Sequence, residues 1–335
     1  MKRVEFSSYG TVDVQTLNEQ AQVPRASEHH VVIKAKYASL NPIDFKIRDG
    51  SLRAMMATHF PSGMAYDVSG DVVAVGSGVE GFKVGDRVAA RSLVLNTLAE
   101  FCEVKDAVVA HIPEGISYED AAALPLAGMT ALQSLRKAGL KEGESVLILG
   151  GGGGVGSYAI QLARHVFKAG RVVTTASTAK HAKLMELGAH ACIDYKDTTA
   201  AASAGTFDCI FDSVGEAAKW GSHIKAGRKV VSVAATPDPA GLADAGIHLN
   251  FIFRTALWFM SRHERHAASS AGGEYAYLPL NPNAADITEL LGYMKAGQVK
   301  SLIDTTFVGL EKHKEAYSRL ESGRAFGKVL VAIAP

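Results

Sequence analysis

The chain is short of cysteine, of net charge and of long apolar runs. Its three cysteines, Cys102, Cys192 and Cys209, stand too far apart for a zinc knuckle, and an odd, scattered set is no disulfide framework. A reducing, cytoplasmic setting is expected. A net charge of +1 gives no general attraction to nucleic acid or to an anionic membrane. The N-terminal residues carry no apolar core of signal-peptide length. The most apolar late stretch, Leu249 to Met260, contains Arg254 and is too short to span a bilayer. No membrane partner is therefore expected. Histidine is plentiful, yet His263-Glu264-Arg265-His266 lacks the spacing of H-E-x-x-H and reads as a solvated helix face. His29-His30 reads as a loop.

What is present is an ordinary globular composition, 47% hydrophobic and 21% charged, over 335 residues, which is more than one core usually serves. The first ~120 residues read as β-rich, with short runs such as Val31-Val32-Ile33 and Asp71 to Val75 set between glycines and prolines. From residue 124 strands and helices alternate. Strands are expected at Val146 to Leu149, Arg171 to Thr175, Ala191 to Ile193, Cys209 to Phe211 and Lys229 to Val233. Helices are expected at Ser157 to Phe167 and Ala179 to Leu187. Continuously apolar strands in such an alternation imply a parallel sheet covered on both faces. Pro237 to Gly246 reads as a loop. The tail reads as helices at Asp286 to Met294 and Glu311 to Glu321 and a last strand at Val329 to Ile333.

Gly151, Gly153 and Gly156 fit G-x-G-x-x-G, with Gly154 and Val155 between them. Alone the pattern is weak. Here it follows a strand, opens a helix and lies in a βαβ unit, the context of a dinucleotide pyrophosphate site. Sites for NAD usually place an acid on the ribose about 20 residues further on. No Asp or Glu occurs from Ser157 through Met185, and the second strand ends in Thr175-Ala176-Ser177-Thr178-Ala179-Lys180. Ser177 and Lys180 suit a 2′-phosphate, so NADPH is the expected cofactor.

These residues join others: Ser39-Leu40-Asn41-Pro42-Ile43-Asp44, Tyr66-Asp67-Val68-Ser69-Gly70, Val75 to Val79 with Phe82 to Val88, Leu98 to Phe101, Ala121 to Pro125 with Gly128 to Ala131, and Leu187-Gly188-Ala189 with Ile193-Asp194-Tyr195. Together they resemble the medium-chain dehydrogenase/reductase superfamily, in its zinc-independent quinone oxidoreductase and enone reductase branch. The resemblance implies an α/β chain in which a Rossmann doubly wound parallel sheet is inserted in a GroES-like β-rich catalytic domain. The boundaries expected are 1–123 with 267–335 for the catalytic domain and 124–266 for the Rossmann domain. A homodimer is implied too.

Zinc enzymes of the superfamily hold their metal on thiolate and imidazole. At the matching places stand Asn41 and Tyr66, poor zinc ligands by comparison, so no metal is expected. Without a Lewis acid the surviving chemistry is hydride delivery to an already electrophilic carbon. A quinone or an α,β-unsaturated carbonyl is the expected substrate. Tyr66 is the first candidate donor to the developing oxyanion, or else a pocket wall. Asn41 donates through its amide or merely fixes its turn. Lys46 lies at a pocket mouth or in solvent. The resemblance also implies cofactor roles for Thr130 near the nicotinamide ribose and for Tyr195 and Arg324 beside the 2′-phosphate. Backbone of Ser232 and Val233 and around Phe251 and Phe253 would hold the carboxamide; the two phenylalanines could equally pack in the core or across a dimer, with core favoured. Two alternatives stay open. One is an acrylyl-CoA-like enoyl-thioester reductase, for which Lys46, Arg48 and Arg53 hint at a basic cluster. The other is a non-catalytic NADPH-binding protein, crystallin-like or a binding partner of other proteins.

Overall fold

The computed structural model describes residues 1–334 except 54, 198, 200–202, 245 and 248. Internal contacts divide the chain into two units, Met1–Met129 with Pro282–Pro335, and Thr130–Asn281.

The first unit opens with eight strands: β1 (Arg3–Phe6), β2 (Gln15–Asn18), β3 (His30–Leu40), β4 (Ser62–Gly63), β5 (Asp67–Val75), β6 (Arg87–Arg91), β7 (Phe101–Lys105) and β8 (Val109–His111). β3 is the pivot. Its β-branched start favours extended chain, and His30 already belongs to it, so only His29 stays in a turn. Register shifts at Val32/Ile33 and Ala35/Tyr37 let β3 bend along β5 while β7 pairs its first half. A helix, α1 (Pro42–Arg48), follows at once, with proline at its first position where a missing N–H costs nothing. Helices α2 (Tyr118–Ala123) and α3 (Pro125–Ala138) lead out of this unit.

The second unit carries β9 (Ser145–Leu149), helix α4 (Gly154–Gln161), β10 (Arg171–Thr175), α5 (His181–Glu186), β11 (Ala191–Ile193), β12 (Phe207–Asp212), α6 (Ala217–Trp220) and β13 (Ile224–Ser232). Then come α7 (Pro239–Asp244), α8 (Phe251–Met260), α9 (Arg262–Ser270) and β14 (Glu274–Tyr277). The six strands pair in parallel, in the order β11-β10-β9-β12-β13-β14. Successive strands step one way from β9 to β11, then cross back to β12. The reversal between β9 and β12 is the switch point at which open α/β sheets bind ligands. The apolar run Val146 to Leu149 is fully buried, as a strand covered on both faces requires.

The last segment returns to the first unit as α10 (Ala284–Lys295), β15 (Ile303–Val308), α11 (His313–Glu321) and β16 (Lys328–Ala332). β16 pairs with the second half of β3, giving the sheet order β15-β16-β3-β5-β6-β8 with β7 beside β3.

Three local readings change. Pro237 to Gly246 is no simple loop, because Asp238 accepts Ala240 N at 3.1 Å and Gly241 N at 3.0 Å and starts α7. The pair Asp238-Pro239 is a helix-start signal; Ala245 lies outside the described residues. β14 and β15 were not anticipated, and the first unit resumes at Pro282 rather than at residue 267. Phe251 and Phe253 are not core: α8 buries none of its residues, and the two rings are 72% and 58% exposed.

Candidate active site

The glycine turn lies where β9 hands over to α4. Gly150 has φ +83°, open to glycine at little cost. A Cβ on Gly151 would stand 2.1 Å from Thr174 Oγ1, and one on Gly156 would stand 2.2 Å from Gly150 O. Gly151 is there because the Thr174 side chain packs close, and Gly156 because backbone does. Gly153 differs: its nearest neighbour would be Gly150 O at 3.5 Å, so its open side faces no protein atom that a methyl group would strike. Gly153 is also the N-cap of α4 and supplies no side-chain acceptor. The first N–H groups of α4 are thus left for an anion.

The end of β10 and the Lys180 side chain lie against this turn, with Tyr195 and Asp194 just past β11. Gly150 N donates to Thr175 Oγ1 at 3.0 Å and Gly151 N to Thr175 O at 3.0 Å, which ties the turn to the end of β10. The Lys180 side chain lies over the turn, its Cδ 2.8 Å from a Cβ built on Gly152. Ser177, half-buried, starts the short helical turn that carries Lys180. Tyr195 is 43% exposed just past β11. One acid does stand here. Asp194 accepts Thr178 Oγ1 at 2.6 Å, Thr178 N at 3.2 Å and Lys196 N at 2.9 Å, and the Thr178 bonds hold its carboxyl below the usual range. It lies nine residues beyond Met185, just past the end of β11.

On the other side of the switch point, Asp212 is sealed at the end of β12. Its carboxylate accepts Val214, Gly215, Glu216 and Ala217 N–H groups at 2.9 to 3.1 Å, and Ser232 Oγ at 2.8 Å. Ser232 Oγ in turn accepts Ala234 N and Ala235 N. The Ser232 side chain is therefore structural, and what the end of β13 offers is backbone at Val233 and beyond. Thr130 is buried on α3 at 6% exposure.

In the first unit, Tyr66 is 3% exposed and follows Ala65, a non-glycine residue held at φ +62°. Such strain collects at functional positions. Burial pushes the Tyr66 phenol up to about 12, so it stays protonated and keeps its donor O–H. The Arg91 guanidinium stacks over its ring at 4.4 Å. Asn41 has no spare donor. Its Nδ2 donates to Asp67 Oδ2 at 2.9 Å and to Ser39 O at 3.3 Å, and its Oδ1 accepts the Lys328 ammonium. Of the two roles weighed for Asn41, the geometry favours the one that fixes its surroundings. Lys46 is exposed on α1. Arg324 is exposed just before β16.

Three further residues, Asp67, Asp44 and Lys328, complete this cluster. Asp67 is fully buried, accepts Leu126 N at 3.1 Å and lies 3.8 Å from Lys328 Nζ. Asp44 accepts Asn41 N at 2.8 Å and Tyr317 OH at 3.1 Å. Burial pushes Asp44 up to about 7 and Asp67 to about 6. Lys328, 3% exposed, also donates to Leu40 O at 3.0 Å. A buried ammonium thus already occupies the acceptors of Asn41 and Asp67. Among the described residues no group of three or more His, Cys, Asp or Glu is arranged to hold a metal. Arg48, read as part of a basic cluster, is instead buried and paired with Glu321 at 2.8 and 3.2 Å.

Comparison with known proteins agrees with both halves of the chain. A family profile described as the alcohol dehydrogenase GroES-like domain matches residues 27–171, and one described as zinc-binding dehydrogenase matches residues 187–331. The chain is 38% identical to the 2-methylene-furan-3-one reductase of Solanum lycopersicum over 99% of its own length and 79% of that protein. It is 35% identical, over the same shares, to the chloroplastic NADPH-dependent alkenal/one oxidoreductase of Arabidopsis thaliana. Among solved structures, the quinone oxidoreductase of Coxiella burnetii superposes with a TM-score of 0.84 at 30% identity, covering 99% of each chain. The chain belongs to the zinc-independent quinone oxidoreductase and enone reductase branch of the medium-chain dehydrogenase/reductase superfamily.

Proposed function

We propose that this protein is an NADPH-dependent reductase that delivers hydride to quinones or α,β-unsaturated carbonyls. The observation that carries the cofactor half is Lys180 folded over the glycine turn, with Ser177 beside it and no acid on that strand end. An ammonium there favours a 2′-phosphate and repels nothing on it. The turn residues Gly151, Gly153, Gly154, Val155 and Gly156 hold the pyrophosphate on backbone N–H groups, and Tyr195 and Arg324 serve the adenosine end. Thr130, Val233 and backbone near Phe251 and Phe253 serve the nicotinamide end.

The bound cofactor would supply the hydride. The chain's own residues position the acceptor, exclude water and steady the charge that grows on its oxygen. Tyr66 donates a hydrogen bond to that oxygen. Asn41, Asp67 and Lys328 keep the floor beneath it fixed. The acyl-thioester alternative loses support, because Arg48 is committed to Glu321 and leaves only Lys46 and Arg53 exposed. A reducing compartment such as the cytoplasm fits three cysteines that are all free. No helix among the described residues is long and apolar enough to cross a membrane.

The test follows reduced-cofactor absorbance with NADPH or NADH against quinones, enones and enoyl-thioesters. NADPH oxidation with quinones or enones is expected. Silence with every acceptor, which a nucleotide-binding crystallin-like protein would give, overturns the enzyme reading. Lys180→Ala should raise the KM for NADPH about tenfold and leave that for NADH alone, the size of one lost charge-assisted hydrogen bond.

A further inference from the structure

The first unit holds two buried arginines, and they are treated differently. Arg48 spends its guanidinium on Glu321 and on Gly10 O. Arg91, at the end of β6 and only 9% exposed, has a buried Nε–H with no hydrogen-bond partner among the described residues. The carboxylates nearest to it in charge act only through space. Both oxygens of Asp67 are engaged, by Asn41 and Leu126 N, and Oδ2 of Asp44 by Asn41 N and Tyr317, while Oδ1 of Asp44 has no hydrogen-bond partner among the described residues and does not bond Arg91. Leaving a buried charged donor unmade costs about 1–3 kcal/mol or more. Such a vacancy at the end of a strand, stacked on the candidate catalytic tyrosine, is what a site waiting for an anion looks like.

We propose that Arg91 is a catalytic residue whose guanidinium receives the oxygen of a conjugated carbonyl substrate and holds the negative charge that develops there. The proposal rests on the reductase reading above. A new C–H bond forms at the β-carbon with the hydride of the reduced nicotinamide. The C=C electron pair shifts toward the carbonyl, whose π pair moves onto oxygen and leaves an enolate. One proton from water then adds at the α-carbon, the hydroxide left behind goes to solvent, and the cofactor is left oxidised. Arg91 keeps all its protons throughout. It works as a fixed positive charge in a dry site, which is where such a charge acts most strongly on a developing oxyanion. Tyr66 is the second donor, and the stacking of the guanidinium on its ring orients both groups.

The test uses the full chain, in wild-type, Arg91→Met and Arg91→Lys forms, with NADPH and with cyclohex-2-enone or 1,4-benzoquinone as acceptor. Arg91→Met should lower kcat about 10²–10³-fold, as loss of an oxyanion donor does, while NADPH affinity by fluorescence titration stays within about twofold. Arg91→Lys should recover part of the loss, and added guanidinium salt should rescue Arg91→Ala. A Met variant within about threefold of wild type overturns the proposal. A second measurement needs no turnover: 4-nitrophenol is titrated spectroscopically in the complex with NADP⁺. Bound probe should ionise below its free value in wild type and lose that shift in both Arg91→Met and an Arg91→Gln variant. An equal shift in wild type and variants, or none in wild type, overturns the proposal. If no acceptor is reduced by wild type, the reductase reading fails and the nitrophenol titration still decides whether Arg91 binds an oxyanion.

Discussion

At the residue scale, the buried polar cluster of the first unit is held in balance by Lys328. Its ammonium is the counterion of Asp67 and the donor to Asn41. Removing one partner of a buried pair leaves an uncompensated charge, at about 3–5 kcal/mol. Lys328→Met should therefore lower the urea midpoint sharply, and a Lys328→Met/Asp67→Asn double variant should recover most of the loss. Equal stability of the single and double variants would separate the two residues. Nothing in the sequence marked Lys328. It opens an apolar strand after Gly327, where a lysine reads as a solvated flank, and only the fold of β16 against β3 carries it inside. Arg91 was hidden for the same reason, since burial of a charge depends on partners far away in sequence. Tyr66 and Asn41 were legible because they sit inside motifs; their committed or open hydrogen bonds were not.

At the element scale, the strand–turn–helix at Gly150 to Gln161 was the most legible feature, since each glycine answers a local demand. It also allows a clean experiment. An added methyl at Gly153 meets no protein atom closer than 3.5 Å, so Gly153→Ala should leave the melting temperature nearly unchanged. If a pyrophosphate passes there, NADPH affinity should fall about tenfold or more, a loss of about 1.4 kcal/mol. Gly151→Ala, 2.1 Å from Thr174 Oγ1, should cost about 1–3 kcal/mol of stability as well. Unchanged affinity in Gly153→Ala would move the phosphate site elsewhere.

Helix α1 gives a second element-scale case. Its N-terminus is closed by Asp44 accepting Asn41 N, half of a capping box, and Asp44 is pushed up to about 7 by burial. Asp67 shifts the same way, to about 6. Between the ordinary carboxylate range and these values the folded chain holds protons that the unfolded chain has released. Their stabilising contribution is complete at low pH and is lost as pH rises through about 6 to 7. His313 opposes them: burial holds it down to about 4, so it adds stability as pH climbs toward its ordinary value of 6.5. Replacing Asp44 by Asn removes one falling contribution. Unfolding free energy measured by urea between about pH 4.5 and 7.5 should then rise more steeply, or fall less, than in wild type. An unchanged slope would mean that Asp44 ionises normally in the fold.

At the scale of the whole molecule, the two-part architecture was readable from where strand–helix alternation begins, while the ends of the parts were not. β14 is four residues long and sits between a polar helix and a proline-rich turn, so nothing local distinguishes it from loop; it becomes a strand by pairing with β13. The homodimer that the family resemblance implies can be tested at that edge. Among the described residues β14 has a neighbour on one side only, and unpaired strand edges invite partners. Helix α8, in the same unit, presents Phe251, Ile252, Phe253, Trp258, Phe259 and Met260 to solvent, more apolar surface than a lone monomer usually leaves uncovered. A second copy related by a two-fold axis would cover like with like. Sedimentation velocity at micromolar concentration should then give twice the chain mass. Ile252→Glu combined with Phe259→Glu should shift the protein to single chains without lowering its helix content, because neither side chain supports the fold beneath it. A wild-type protein that sediments as one chain across that range would leave the apolar face of α8 to another role.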